Sequence, residues 1–194
     1  MKICVFGAAS TKIDPAYIEK VEALGRKMAE RGHDLVFGAG GNGLMGAAAR
    51  GMRQAGKGHI TGVIPSFFRD ETIEAIFDDC DELIFTDTMR ERKAKMEDLA
   101  DAFLVVPGGI GTFEELFEVM TLKQLGRFDK PIAIYNLMNY YDEMETVLFR
   151  AINKRFIRAN CRMLYLMSTD QEELFDYIEH SRPLGMDVHQ LKDG

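Results

Sequence analysis

Short apolar runs and longer segments of helical period alternate along the whole chain. The runs at residues 3–6, 35–37, 60–64, 83–85, 103–106, 132–135 and 164–167 are mostly apolar throughout rather than alternating. That is the pattern of strands buried on both faces of a parallel sheet. The segments between them read as helices. In the first, Ile18, Val21, Leu24 and Met28 share one face, and Asp14-Pro15 supply a cap and a first-turn residue. The alternation predicts an α/β fold: a Rossmann-like, doubly wound parallel sheet of about seven strands with helices on both faces. No repeat, low-complexity stretch or linker interrupts it, so residues 1–182 are expected to form a single domain. Residues 183–194, with Pro183, Gly185 and Gly194, are expected to be a flexible tail.

Composition narrows the class. At 194 residues, a folded chain buries about 70% of its unfolded surface and needs neither disulfides nor metal to hold a core. Hydrophobic residues at 46% and charged residues at 28% exclude a disordered chain. A formal charge of −7 argues against nucleic-acid polymers and anionic membranes as partners. Cys4, Cys80 and Cys161 are widely spaced and the four histidines are scattered, so no metal or redox motif is visible. The apolar run at residues 3–6 is too short for a secretory leader, and no stretch approaches eighteen apolar residues. A cytoplasmic location is the expectation.

In a sheet of this kind ligands bind beyond the carboxyl ends of the strands, which directs attention to two glycine-rich turns. The first runs Gly38-Ala39-Gly40-Gly41-Asn42-Gly43-Leu44-Met45-Gly46. Its glycines permit close backbone approach to a phosphate, making Gly40, Gly41 and Gly43 candidate contacts, although a tight structural turn explains the same residues. The segment matches G-x-G-x-x-G. However, it follows the second strand, and the third ends Val63-Ile64-Pro65-Ser66 without the acid that holds an NAD ribose. An NAD dehydrogenase is disfavoured accordingly.

The second turn is Pro107-Gly108-Gly109-Ile110-Gly111-Thr112-Phe113-Glu114-Glu115. Backbone amides here, with the positive end of the following helix, suit an anionic phosphate. Glu115 has two readings. It is a carboxylate beside a phosphate loop, or it is half of a T-x-x-E capping box with Thr112. The helix that follows is apolar nearly all round, with Phe113, Leu116, Phe117 and Met120 on one face and Leu122 and Leu125 beyond it. A second copy covering that other side predicts a homodimer.

A third segment, residues 86–96, starts a helix whose first turns hold Arg90, Arg92, Lys93 and Lys95. Cations there oppose the macrodipole. With Met89, Met96 and Leu99 marking the buried stripe, Arg92 and Lys93 fall on it, while Arg90 and Lys95 point away. Core-facing charges either serve a ligand or snorkel past a core edge.

Together these segments resemble the LOG ("lonely guy") family of cytokinin-activating phosphoribohydrolases, long labelled possible lysine decarboxylases. The P-G-G-x-G-T-x-x-E motif is complete from Pro107 to Glu115. The R-K element is Arg92-Lys93 after Met89, and the first glycine loop follows the family pattern. Asp14-Pro15, Ile64-Pro65 and Tyr140-Tyr141-Asp142 extend the similarity over nearly the whole chain. Four residues in three places depart from it. Ala8-Ala9-Ser10 replaces a G-S-S turn, Ala39 replaces a central glycine, and Arg90 stands where histidine is common.

The resemblance implies a nucleotide-binding domain that hydrolyses the N-glycosidic bond of a nucleoside 5′-monophosphate, with a small nucleotide as partner and no metal or cofactor. It implies Arg92 and Glu115 as the catalytic pair. It implies substrate contacts from Ser10, Gly40, Gly41, Gly43, Met89, Arg92 and Lys93, and from Pro107, Gly108, Gly109, Ile110, Gly111 and Thr112. Nothing in the sequence marks a pyridoxal Schiff-base lysine. The competing expectation is a non-catalytic nucleotide carrier of the same fold.

Overall fold

The computed structural model describes residues 1–70, 75–186 and 188–192. Seven strands form one all-parallel sheet: β1 (Lys2–Phe6), β2 (Asp34–Phe37), β3 (Ile60–Pro65), β4 (Glu82–Thr86), β5 (Ala102–Val105), β6 (Ile132–Tyr135) and β7 (Leu166–Ser168). Eight helices accompany them among the described residues: α1 (Pro15–Glu30), α2 (Gly43–Ala55), α3 (Ser66–Asp70), α4 (Met89–Leu99), α5 (Ile110–Gln124), α6 (Asp142–Asn153), α7 (Gln171–His180) and α8 (Val188–Leu191). The strand order is β4-β3-β2-β1-β5-β6-β7. The chain therefore winds outward from β1 in one direction and, after α4, returns to wind outward in the other. This is the doubly wound Rossmann-like arrangement that the apolar pattern predicts.

Strand residues divide between two cores. Ile3 and Val5 face α1, α2 and α7, packing with Leu24, Met28, Met52 and Phe175. Cys4 and Phe6 face α4 and α5, packing with Met96, Leu116 and Val119. Phe6 stacks on Phe103 at 5.8 Å between ring centroids. Asp14 caps α1, its carboxylate accepting the Ala16 amide at 2.9 Å.

Two expectations are revised. The last strand begins at Leu166, because residues 159–164 coil into a 3-10 turn that buries Leu164 beside Cys161. The tail also packs where it is described. Leu191 is buried in that same cluster, and its carbonyl accepts the Gln124 side-chain amide at 3.0 Å. Leu184, Met186 and Leu191 supply apolar surface that the glycine and proline content conceals. Residues 187, 193 and 194 of that tail lie outside the described residues.

Helices α1 and α2 pack at backbone contact. A β-carbon at Gly51 would lie 2.0 Å from the Glu22 carbonyl oxygen, and one at Gly25 would lie 2.1 Å from that of Ala48. Alanine is the better helix former by about 1 kcal/mol, yet here it would push two helices apart. Gly51→Ala is therefore expected to lower stability by about 1–3 kcal/mol. The measurement is a lower urea midpoint at unchanged m-value.

Candidate functional site

The order reverses at β1, which has β2 on one side and β5 on the other. Two cavities open at the carboxyl end of that switch point. One, of about 340 Å³, lies toward α4 and α5 and is lined by Arg92, Lys93, Thr112, Glu115 and Phe68, among others. The other, of about 330 Å³, lies toward α1 and is lined by Tyr17, Leu44, Pro107, Gly108 and Tyr140, among others. Ala8, Ser10 and Gly109 border both.

Arg92 is brought into the larger cavity by a well-capped α4. The Thr88 hydroxyl accepts the Glu91 amide at 3.1 Å, and Glu91 in turn accepts the Asp87 amide at 3.0 Å. Arg92 is 5% exposed, and its guanidinium donates to the carbonyls of Val63, within β3, at 3.2 Å and of Gly38, just past β2, at 3.1 Å. It also sits 5.7 Å from the Phe68 ring centroid. A β-carbon at Gly38 would fall 1.6 Å from Nη2, so the guanidinium occupies the space that glycine leaves open.

Glu115 is the sixth residue of α5, whose N-cap is Gly109. The capping-box reading is thereby set aside: the T-x-x-E spacing caps a helix at Thr88 instead, with Glu91 reaching back to the Asp87 amide. Among the described residues nothing hydrogen-bonds the Glu115 carboxylate. Burial pushes this carboxyl from its ordinary 4.5 to about 7; Arg92 and Lys93 pull it down, and Glu114 and Glu118 push it up. No ion pair joins Arg92 and Glu115 among the described residues. The pairing that the resemblance implies is Coulombic, across the cavity.

Lys93 differs from Arg92. It contacts Glu114 and lies 2.6 Å from Glu118, and these pairs raise its pKa despite burial. Its charge is offset inside the protein, whereas Arg92 donates to neutral carbonyls. Met89, expected in the buried stripe, is 40% exposed at the cavity rim, because its Sδ turns toward Arg92 Nη1 at 3.8 Å. Arg90 and Lys95 are exposed, as their positions on the helix predict.

The two glycine loops have different states. In the first, the Gly41 amide donates to Ala75 at 2.7 Å, and Gly40 bridges Ile76. Gly43 turns at φ +59 against the Ala8 carbonyl, which accepts the first amides of α2 from Leu44 at 2.7 Å and Met45 at 3.4 Å. Gly40, Gly41 and Gly43 line neither cavity. In the second loop, the amides of Ile110, Gly111 and Thr112 have no acceptor among the described residues. Gly109 and Gly111 face the larger cavity, with Thr112 buried beside them; Ile110 is 89% exposed and lies outside both linings. Pro107, Gly108 and Ser10 line the smaller cavity.

Sequence reasoning passed over Phe68, for which no motif gives a signal, and assigned no role to Tyr140 and Tyr141. It also missed why Gly38 is glycine, which depends on a side chain 54 residues away.

This architecture defines a doubly wound, Rossmann-like α/β protein whose cleft combines a buried arginine, a carboxyl of raised pKa and an uncapped helix start. The family model described as "Possible lysine decarboxylase" matches residues 45–178. The chain is 36% identical over 184 residues to cytokinin riboside 5′-monophosphate phosphoribohydrolase LOG2 of Arabidopsis thaliana, covering 94% of this chain and 84% of that one. It is 38% identical to LOG7 of the same plant, covering 94% and 82%. Among solved structures, the molybdenum cofactor carrier protein of Chlamydomonas reinhardtii superposes with a TM-score of 0.67 at 21% identity, covering 92% of this chain and 95% of that one. The molybdenum cofactor binding protein of Rippkaea orientalis gives 0.64 at 20% identity, covering 92% and 94%. These two show the shared fold. The chain belongs to the LOG family.

The raised pKa of Glu115 makes stability depend on pH. The folded state holds this proton more tightly than the unfolded chain, so the carboxyl's contribution to stability is present below about pH 4.5 and is lost as pH rises to about 7. Glu115→Gln is expected to raise the melting temperature at pH 8 and leave it nearly unchanged at pH 4.5. By carboxyl-carbon NMR, Arg92→Met should move the Glu115 titration upward; a downward shift would contradict the assigned electrostatics.

Proposed function

We propose that this protein is a nucleoside 5′-monophosphate phosphoribohydrolase, hydrolysing the N-glycosidic bond of AMP or a cytokinin riboside 5′-monophosphate to free base and ribose 5-phosphate. The observation that carries this reading is Glu115: a half-buried carboxyl, released from any capping role, facing Arg92 beside the open amides of α5. The names of the plant relatives support the same chemistry.

The geometry suggests a division of labour. The amides from Gly109 to Thr112, at the positive end of α5, receive the 5′-phosphate. Breaking the glycosidic bond leaves positive charge on the ribose, and the ionised Glu115 stabilises it and orients the attacking water. Arg92 keeps a useful fraction of Glu115 ionised near neutral pH and orients the substrate. A cytoplasmic location is consistent with three cysteines that are all free thiols. Among the described residues no helix is long and apolar enough to cross a membrane.

The test is release of free base from AMP and from isopentenyl-adenosine monophosphate, followed by chromatography. Turnover is expected, with Glu115→Gln reducing it at least a thousandfold while the protein stays folded, and kcat/KM rising with pH through about 7. Saturable AMP binding without base release from either nucleotide would favour the carrier reading, for which the cofactor-carrier folds give a precedent.

A homodimer with α5 at the interface belongs to the same proposal. Ile110 and Phe117, seven residues apart and so on one face of α5, are 89% and 40% exposed. They form the outward apolar stripe in place of Leu122 and Leu125, which are partly buried. Light scattering at micromolar concentration is expected to give twice the chain mass, and Phe117→Glu to halve it.

A further inference from the structure

We infer that Tyr140 and Tyr141 are positioning residues that aim the backbone of the second glycine loop at the substrate's phosphate; this rests on the reading that the loop receives that phosphate. Both tyrosines follow β6 in a turn of unusual backbone. Met138 and Asn139 stand at φ +55 and +62, two successive non-glycine residues in the left-handed region. Such a conformation persists only where the surroundings over-determine it.

Here Asn136 does so from both ends of its side-chain amide. Its Oδ1 accepts the Tyr141 backbone amide at 2.7 Å, and its Nδ2 donates to Asp142 Oδ1 at 2.7 Å. The Asn136 carbonyl takes the Asn139 amide at 3.1 Å.

The turn delivers two hydroxyls to the loop. Tyr141 donates to the Val106 carbonyl at 2.8 Å, and Tyr140 donates to the Gly108 carbonyl at 2.7 Å. Between them, the Pro107 carbonyl accepts the Ala8 amide at 3.0 Å. Three consecutive carbonyls are thus tied back into the protein. A trans peptide is planar, with its N–H opposite its C=O. Fixing the Gly108 carbonyl on Tyr140 therefore turns the Gly109 N–H the other way, and Gly109 borders both cavities. Tyr141 is fully buried, so it can influence a ligand only through the loop.

The test measures AMP, adenosine and inorganic phosphate binding by calorimetry, together with steady-state hydrolysis of AMP. It uses the wild type, Tyr140→Phe and Tyr141→Phe, each checked by thermal melting. Phenylalanine keeps the ring and removes only the hydroxyl. Each variant is expected to weaken phosphate and AMP binding and raise KM for AMP about two- to tenfold, the scale of one hydrogen bond, with adenosine affinity and kcat unchanged. Unchanged phosphate affinity, equal weakening of AMP and adenosine, or a fall in kcat at constant KM would overturn the inference. Should Tyr141→Phe fail to fold, the half-exposed Tyr140→Phe decides. A wild type that binds AMP and phosphate but does not hydrolyse defeats the proposed activity and leaves the binding comparison to judge the tyrosines. A wild type that binds neither overturns both.

Discussion

The cleft is organised around one buried guanidinium. A full positive charge withdrawn from water is costly unless its donors are met. Arg92 meets that cost with the carbonyls of Gly38 and Val63 rather than with a carboxylate. Those carbonyls hold it without cancelling it, so its field reaches Glu115 across the cavity. Gly38 follows from the same constraint, because any side chain there would take the space of Nη2. The reversal of strand order matters in turn, since it places the loops after β1 and β5 against the arginine carried by α4.

Adjacent charges that look alike in sequence are sorted by their partners. Lys93, next to Arg92, is neutralised by Glu114 and Glu118. Glu115, next to Glu114, has no hydrogen bond among the described residues, and burial raises its pKa to about 7. The two helix starts are sorted likewise. The Ala8 carbonyl takes the Leu44 and Met45 amides of α2, while among the described residues the amides of Gly111 and Thr112, beside the larger cavity, have no acceptor. One glycine loop is thereby closed by its own protein and the other lies along a cavity, although both are rich in the same residue. Ala39, which replaces the family's central glycine, stands at φ +59 and is fully buried. It carries a left-handed cost of about 1–2 kcal/mol, which burial of its methyl group offsets in part.

The sequence by itself determined the architecture. Seven short apolar runs flanked by helical periods admit few arrangements other than a parallel sheet covered on both faces, and only the last strand shifted by more than a residue. It also picked out two of the residues that line the larger cavity. An arginine on a buried helical stripe and a carboxylate after a P-G-G turn are legible because both violate the ordinary rule for a core or a cap.

Only the tertiary structure decided how those residues are partnered, because each partner is distant in sequence. Ala8 closes the first loop from the end of β1, and Val63 and Gly38 receive Arg92 from two other strands. Whether Glu115 belongs to a capping box lay in where α5 begins, a boundary that local spacing leaves open. The tyrosine clamp was out of reach for the same reason. Hydrogen bonds from residues 140 and 141 to carbonyls 106 and 108 exist only once β5 and β6 lie side by side, and no periodicity encodes that juxtaposition.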